Sequence, residues 1–570
     1  LPSEIGQLTS LQSLVLSGNQ LSALPSEIGQ LTSLQSLDLS GNQLSALPTE
    51  IGQLTSLQSL DLIANPLRTL PTEIGQLTSL QSLYLRDNPL EDPPPEIVTE
   101  GTQRILNYMR QKLEQGTEQL YEAKFLIVGE GGAGKTTLSK KLVDPSYELD
   151  PQQVATEGID VIPWSFELRD GTPFRANIWD FGGQEIYHAT HQFFLTKRSL
   201  YALVVDTRKE NTDLYYWLSV INLFSDGSPI LIIKNEKDDR PCEVNERQLR
   251  GEFVTLEKTI STNLKTNRGL DDINQAIRQY MTTLPHVGTP LPQKWVDVRR
   301  ALETDARNYI PITEYIRICE SHGFMKRADQ LQLSDYLHDL GVCLHFQNDP
   351  ILKHTLILKP EWGTTAVYKA LDTKAVRDHL GRFTRAQLDS IWSEATYAPM
   401  RDELLQLMMR FKLCYEIPGR PQHYIAPQLL SLDPPDYDWD DQANLIFRYD
   451  YDFMPKGILT RLIVEMHEYI ENQQLVWKTG VVFFNGTARA EVIEHYPKRE
   501  IRIRVSGNDQ RLWLSVITHE LEKIHRSFDR LQYKPLIPCN CSECKNSQTP
   551  YDYPYNRLQK FLHTGNPIQC

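Results

Sequence analysis

The dipeptide Leu1-Pro2 returns as Leu24-Pro25, Leu47-Pro48 and Leu70-Pro71, a period of 23 residues. A unit that short cannot enclose a core of its own, so the period dictates stacked units that bury a shared apolar strip. Within each unit the order L-x-x-L-x-L-x-x-N-x-L recurs, for example at Leu34, Leu37, Leu39, Asn42 and Leu44. Alternation sends those leucines to one face of a short strand. The asparagines Asn19, Asn42, Asn65 and Asn88 are expected to bond the backbone of successive bends as a ladder. Spacing accounts fully for these positions, which read as scaffold without chemistry.

The period is that of leucine-rich repeats, so residues 1–94 are expected to form an α/β solenoid. The outward strand positions vary more: Val15, Asp38, Asp61 and Tyr84 in one row, Ser17, Ser40, Ile63 and Arg86 in the next. That concave face is the expected site for a protein partner. Glu91-Asp92-Pro93-Pro94-Pro95 cannot continue the ladder. A capping and linking helix is expected over residues 95–120, with Ile97, Ile105, Leu106, Met109 and Leu113 inward.

At 570 residues the chain exceeds what one core can hold, roughly 250–300 residues, so further domains must follow. A net charge of -14 repels phosphodiester backbones, and no basic tract offsets it, which argues against nucleic acid as a partner. No apolar run of about 18 residues predicts a transmembrane segment. Eight cysteines in a chain this long do not make a disulfide framework, and a cytoplasmic setting is expected.

The apolar strand Lys124-Phe125-Leu126-Ile127-Val128 runs into Gly129-Glu130-Gly131-Gly132-Ala133-Gly134-Lys135-Thr136, a complete G-x-x-x-x-G-K-T phosphate loop. Glycines let the loop N–H groups close on a β-phosphate, Lys135 neutralises β and γ oxygens, and Thr136 offers a hydroxyl to Mg²⁺. Thr137 opens a helix whose dipole adds to the site. Downstream, Phe174–Trp179 reads as a strand ending in Asp180-Phe181-Gly182-Gly183-Gln184-Glu185. Asp180 is expected to hold the Mg²⁺ shell, the Gly183 N–H to sense the γ-phosphate, and Gln184 to orient the attacking water. Between them Thr156 is placed to close over Mg²⁺ and γ-phosphate. Lys135, Thr156 and Gln184 are the expected catalytic set.

The strand Pro229–Lys234 leads into Asn235-Glu236-Lys237-Asp238. A carboxylate at Asp238 can accept both guanine N1–H and N2–H, a donor pair adenine lacks, so GTP and GDP are the expected substrate and product. Asn235, Lys237, Ser261 and Thr262 complete the expected nucleotide contacts, the last two standing where a loop meets the base.

Residues 121–285 resemble a Ras-like GTPase. With the repeats before them and the module after them, the whole chain resembles the Roco family, in which a Roc GTPase domain is followed by a COR domain. The resemblance rests also on His191-Gln192-Phe193-Phe194-Leu195 and on Leu291-Pro292-Gln293-Lys294-Trp295-Val296-Asp297-Val298-Arg299. It implies a nucleotide-regulated switch, a homodimer through COR, and hydrolysis assisted by the second protomer. Lys197 and Arg198 lie near where a cross-dimer arginine would act. One departure stands out: Ras-like proteins carry Asn-Lys-x-Asp, and here Glu236 fills the Lys position, which removes an alkyl stem from the base and is expected to lower affinity.

The C-terminal module is expected to be α+β in two halves. Residues 290–433 read as a winged-helix-like half, with helices at Trp295–Ala306 and Asp402–Phe411 and short strands near Val342–Phe346 and Thr355–Leu358. Residues 434–570 read as a β-rich half, with strands Leu445–Tyr449, Leu475–Phe484, Thr487–His495 and Ile501–Ser506 and helices Lys456–Glu471 and Trp513–Arg526. At its end Cys539, Cys541, Cys544 and Cys570 could hold a tetrahedral Zn²⁺, with His563 as a substitute ligand, or could be free surface thiols. Two rival readings stay open: a scaffold that binds nucleotide with negligible turnover, and an ATP-using NTPase, which the phosphate loop alone would permit. No kinase signature is present.

Overall fold

The computed structural model describes residues 1–149, 158–182, 199–208, 214–225, 227–240, 244–440, 444–528, 530–539, 541, 543–544 and 550–564. The chain divides into two compact units. One holds Leu1–Lys124, Pro163–Asn177 and Gln275–Pro360; the other holds Phe125–Ile162, Ile178–Asn274 and Glu361–Cys570.

In the first unit the repeats form four parallel three-residue strands, β1 (Ser13–Val15), β2 (Ser36–Asp38), β3 (Ser59–Asp61) and β4 (Ser82–Tyr84), paired in chain order. A 23-residue unit leaves little chain for the return, which is a five-residue 3-10 helix such as Thr49–Gln53. The asparagine ladder is formed: the Asn65 amide donates to the Leu39 and Leu62 carbonyls (3.0 and 3.1 Å) and its oxygen accepts from Leu44 N–H (3.1 Å). Asn42, Asn65 and Asn88 thus each tie their own bend to the preceding unit, while Asn19 bonds the Leu16 and Ser17 carbonyls of its own bend. Val15 and Tyr84, in the outer row, are 66% and 49% exposed.

The expected single helix after the arm is two, Pro95–Thr99 and Thr102–Gln115, followed by β5 (Thr117–Gln119). Gly101 (φ 94°) and Gly116 (φ 77°) break it, both in the left-handed half of φ space that ends α-helices. The register differs from expectation at one residue: Leu113 is exposed, while Tyr108 turns inward. This helix caps the last repeat at backbone distance. A Cβ on Gly75 would lie 2.5 Å from Arg110 N. Gln103 donates to the Leu80 carbonyl (3.0 Å), and Lys112 forms a buried ion pair with Asp92.

The apolar core of the arm then runs without interruption into the helices Gln293–Thr304, Ile312–Ser321 and Arg327–Asp339, through Trp295, Tyr315 and Leu333. Trp295 donates its indole N–H to Gln111 (2.6 Å) and meets the Tyr108 ring edge-on at 5.3 Å.

The six strands β6 (Glu122–Val128), β7 (Ile159–Glu167), β8 (Pro173–Phe181), β9 (Ser199–Asp206), β10 (Ile230–Asn235) and β11 (Leu256–Thr262) form one sheet in the order β11-β10-β9-β6-β8-β7. The order reverses at β6, so the phosphate loop that follows β6 opens at a topological switch point, where such sheets bind ligands. β9, β10 and β11 are parallel.

The chain continues with β12 (Pro290–Pro292), which pairs with β5, and with the antiparallel pair β13 (Tyr309–Pro311) and β14 (Thr355–Ile357). The strand expected at Val342–Phe346 is reduced to a single bridge, Leu344 to Ile357.

In the second unit the helices Pro360–Asp372, Arg385–Ile391 and Arg401–Arg410 accompany a small sheet of β15 (Arg382–Thr384), β16 (Tyr415–Glu416) and β17 (His423–Ile425). The β-rich half is a seven-stranded sheet of order β19-β20-β21-β22-β18-β23-β24. Its strands are β18 (Leu445–Tyr451), β19 (Val476–Trp477), β20 (Gly480–Phe484), β21 (Ala488–His495), β22 (Glu500–Gly507), β23 (Tyr533–Pro538) and β24 (Asp552–Pro554). Among the described residues its strand pairings are antiparallel. The helix Gln510–Arg526 supplies Trp513, Ile517 and Leu521 to its core. The expected helix Lys456–Glu471 is shorter, Ile458–Glu465, begun at Gly457 and followed by two 3-10 turns. The expected strand Leu475–Phe484 is a hairpin of β19 and β20.

Candidate functional site

The strand β6 delivers the chain into the loop Gly129–Gly134, and the helix Lys135–Val143 leaves it. Two features force glycine there. Gly134 has φ 108°, and a Cβ on it would stand 2.5 Å from the Asn235 amide nitrogen. Gly129 has φ 136°, and a Cβ would meet the Val204 carbonyl at 2.4 Å. The backbone is thus wound and packed from behind, a shape that presents N–H groups to a ligand.

Lys135 is buried, and its ammonium donates to the carbonyls of Gly129 (2.9 Å) and Glu130 (2.8 Å), which centres the charge over the loop. Ala133 is buried against the sheet, while Gly131 and Gly132 are exposed at the rim. Thr136 and Thr137, half-buried, begin the helix. At the end of β8 Asp180 is fully buried.

A second set gathers on the neighbouring strand ends, and register explains it. Asn235 is paired with Asp206 on β9 and with Thr262 on β11, so three polar residues end three adjacent parallel strands side by side. Asn235 donates to the Ala133 carbonyl (2.9 Å) and accepts from Leu264 N–H (3.3 Å), tying base loop to phosphate loop. Lys237 reaches the Gly132 carbonyl and the Asp206 carboxylate (3.2 Å). Burial pushes the Asp206 carboxyl up, but the Arg208 and Lys237 partners outweigh it and hold it below the usual carboxylate range. Arg208 also approaches Asp238 at 3.7 Å. Asp238 itself sits at φ 56° with its side chain 71% exposed, an acceptor held open to solvent. Thr262 is buried and donates to the Arg268 carbonyl (2.8 Å), whereas Ser261 is exposed.

The departure at Glu236 looks different in three dimensions. Glu236 turns away to pair with Arg268 (2.5 Å), and Lys237 supplies the cation that bridges to the phosphate loop. The lysine that reaches the phosphate loop is therefore Lys237 rather than the residue at position 236. Sequence reasoning did not single out Asp206, Arg208 or Arg268. The signal available for Asp206 was an acidic residue closing the all-apolar strand Leu200–Val205. Thr156, Gly183, Gln184, Lys197 and Arg198 lie outside the described residues, as do Cys570 and the His563 side chain.

Two contacts lead from this domain into the C-terminal module within the same unit. Gly158, whose carbonyl accepts from Gly182 N–H (2.8 Å), has no room for a Cβ: the Tyr368 ring of the helix Pro360–Asp372 would be 2.7 Å away. The helix Leu214–Phe224 places Leu223 in the core of the β-rich half, and its rings Tyr216 and Phe224 lie 5.9 and 5.5 Å from Phe453 and Phe528.

Comparison with known proteins covers almost the full chain. The family described as a leucine-rich repeat region matches residues 2–123, and that described as Ras of Complex, Roc, domain of DAPkinase matches 124–238. The C-terminal of Roc, COR-A domain matches 292–430 and the C-terminal of Roc, COR-B domain matches 442–570. A Roc-COR-CHAT protease of Runella zeae is 28% identical over 418 residues, which cover 68% of this chain and 44% of that one. The probable serine/threonine-protein kinase pats1 of Dictyostelium discoideum is 27% identical over 78% of this chain and 15% of that one. This chain therefore spans less than half the length of either relative. Among solved structures, the GDP-bound RocCORdC of Methanosarcina barkeri Roco2 is 35% identical, over 56% of this chain and 98% of that chain, with a TM-score of 0.48.

Proposed function

We propose that this chain, which belongs to the Roco family, is a guanine-nucleotide switch that hydrolyses GTP and passes the state of its nucleotide to its COR module. Its Roc domain is of the Ras-like GTPase type. The observation that carries the reading is the tie between two loops far apart in sequence: Asn235 and Lys237 bond the carbonyls of Ala133 and Gly132, so phosphate loop and base loop form one rigid cradle.

In that cradle Lys135 neutralises the β and γ oxygens, the loop N–H groups of residues 131–137 hold the β-phosphate, and the Asp238 carboxylate accepts the two guanine donors. Gly183 and Gln184 follow Asp180 in sequence and take the γ-phosphate and the attacking water; Thr156 closes over the other side. Thr136 and Asp180 are hard oxygen donors, which suits Mg²⁺. When bound there, Mg²⁺ neutralises charge on the β- and γ-phosphates.

Coupling is supported by Gly158 against Tyr368 and by the helix Leu214–Phe224 in the COR-B core. A change of nucleotide that shifts either segment must repack the COR side. Two copies joined through COR would assist each other's hydrolysis, and the exposed Val15 and Tyr84 mark the repeat face that takes a protein partner. Among the described residues no helix is long and apolar enough to cross a membrane.

Calorimetric titration with GDP, ADP and xanthosine diphosphate tests the base assignment. GDP should bind and ADP should not, and Asp238→Asn should lose GDP affinity while gaining xanthosine diphosphate. Equal binding of ADP and GDP by the unaltered chain would refute it.

A further inference from the structure

Beyond the nucleotide site, three sulfurs converge at the far end of the β-rich half. β23 ends at Pro538, β24 begins at Asp552, and the two pair antiparallel, Pro538 to Asp552. Cys539 N–H extends the ladder to the Tyr551 carbonyl (2.7 Å). The connection reads Cys539-Asn540-Cys541-Ser542-Glu543-Cys544-Lys545-Asn546-Ser547-Gln548-Thr549-Pro550. That is long for a hairpin, where two to five residues are usual. Apart from its cysteines its sequence offers no apolar side chain to bury, so hydrophobic packing does not account for the convergence of Cys539, Cys541 and Cys544.

Sulfur chemistry does. The Sγ atoms of Cys539, Cys541 and Cys544 all lie within 4.8 Å of one another. In tetrahedral zinc thiolates, with Zn–S of roughly 2.3 Å, neighbouring sulfurs are about 3.8 Å apart, so the cluster needs to contract by no more than about 1 Å. A second observation is independent of that spacing: the Cys544 backbone N–H donates to Cys541 Sγ at 3.4 Å. An amide that closes the Cys541–Cys544 turn onto that sulfur fixes the turn and holds the two cysteines on one side of it. A disulfide would use two of the three sulfurs and leave the third without a role.

We propose that Cys539, Cys541 and Cys544 form a structural zinc site that staples the long hairpin connection of the COR-B half. Each thiol loses its proton to solvent as its Zn–S bond forms, and the fourth tetrahedral position is left to a further donor or water. The metal cross-links a loop that has no core, as zinc does in small domains short of apolar residues. It takes no part in phosphate chemistry.

The test is metal content of the full chain, produced with zinc and kept reduced throughout. Elemental analysis should find about one zinc per chain, and Cys541→Ser or Cys544→Ser should lower it at least tenfold, while Glu543→Gln leaves it unchanged. Should those variants fold poorly, the unaltered chain stripped by a chelator and refilled with Co²⁺ gives an independent readout. It should show sulfur-to-cobalt charge-transfer absorption and tetrahedral d–d bands. Less than a tenth of an equivalent of zinc in the unaltered chain, a disulfide among these cysteines in its place, or cobalt bands without sulfur charge transfer would overturn the site.

Discussion

The repeat arm and the nucleotide cradle are built by opposite rules. In the arm every unit repeats the same side chains, each contact is to the next unit, and identity is spread over many equivalent leucines and asparagines. In the cradle a few unlike residues from three strand ends and one loop meet once, and each has its own partner. Redundancy therefore protects function in the arm but not in the cradle, while stability in the arm is a sum of near-equal parts.

The largest expected effect follows at the cradle. Lys135→Ala removes the buried cation held by the Gly129 and Glu130 carbonyls of the phosphate loop and should weaken GDP and GTP binding by at least roughly 100-fold, since charge-assisted bonds contribute about 1.5–3 kcal/mol each. Its melting profile in the absence of nucleotide should move little. Fluorescent-nucleotide titration and thermal unfolding, run on the same sample, check both halves of that statement.

Leu60→Ala should do the reverse. Leu60 is fully buried in the middle of the arm, and such truncations cost about 2–5 kcal/mol. Denaturant melts should show the loss, while affinity for GDP stays within about twofold. A large loss of nucleotide affinity in this variant would break the contrast.

Lys237→Met sharpens it at intermediate size. If Lys237 stands in for the displaced family lysine, its loss should lower GDP affinity by roughly 10-fold without changing the preference over ADP, its charge-assisted bonds to the Gly132 carbonyl and the Asp206 carboxylate being at stake. Glu236→Lys should have a smaller effect, because the bridge is already made by its neighbour.

The smallest effect is a difference in acid response. Glu100, at the break between the two capping helices, faces Arg104, Asp335 and Asp339, and burial raises its carboxyl to about 7. A folded pKa raised above the unfolded value adds stability as pH falls from about 7 towards the ordinary carboxylate range. His525, in the β-rich half, is packed by Tyr449, Tyr451 and Tyr533, and burial lowers its imidazole to about 4. Stability from the neutral ring is present above the ordinary histidine range and is lost as pH falls towards 4. Chemical melts from pH 7.5 to 5 should show Glu100→Gln gaining less, and His525→Phe losing less, than the parent chain.

Legibility in the sequence followed the same divide. The arm could be read residue by residue, because a fixed period leaves one way to bury its leucines. The phosphate loop was equally plain, since its residues are contiguous in the sequence. The Lys237 substitution was not, because which of two adjacent residues turns toward Gly132 depends on the left-handed turn at Asp238 and on Arg268 capturing Glu236. The row Asp206, Asn235, Thr262 was hidden for a related reason: strand register sets it, and register is not written in any one segment. Leu113 was misplaced although it shares the unbroken helix Thr102–Gln115 with the buried Ile105, Leu106 and Met109, because periodicity gives a face and not how far along the helix that face is covered.

The central claim is that the cradle hydrolyses GTP and does so with help from a second copy. Single-turnover hydrolysis of GTP and ATP, followed across protein concentrations with Lys135→Ala as control, tests it most directly. Turnover of GTP alone is expected, at a rate that rises with protein concentration and vanishes in Lys135→Ala. Tight GTP binding without turnover at any concentration would contradict it and leave a nucleotide-binding scaffold in its place.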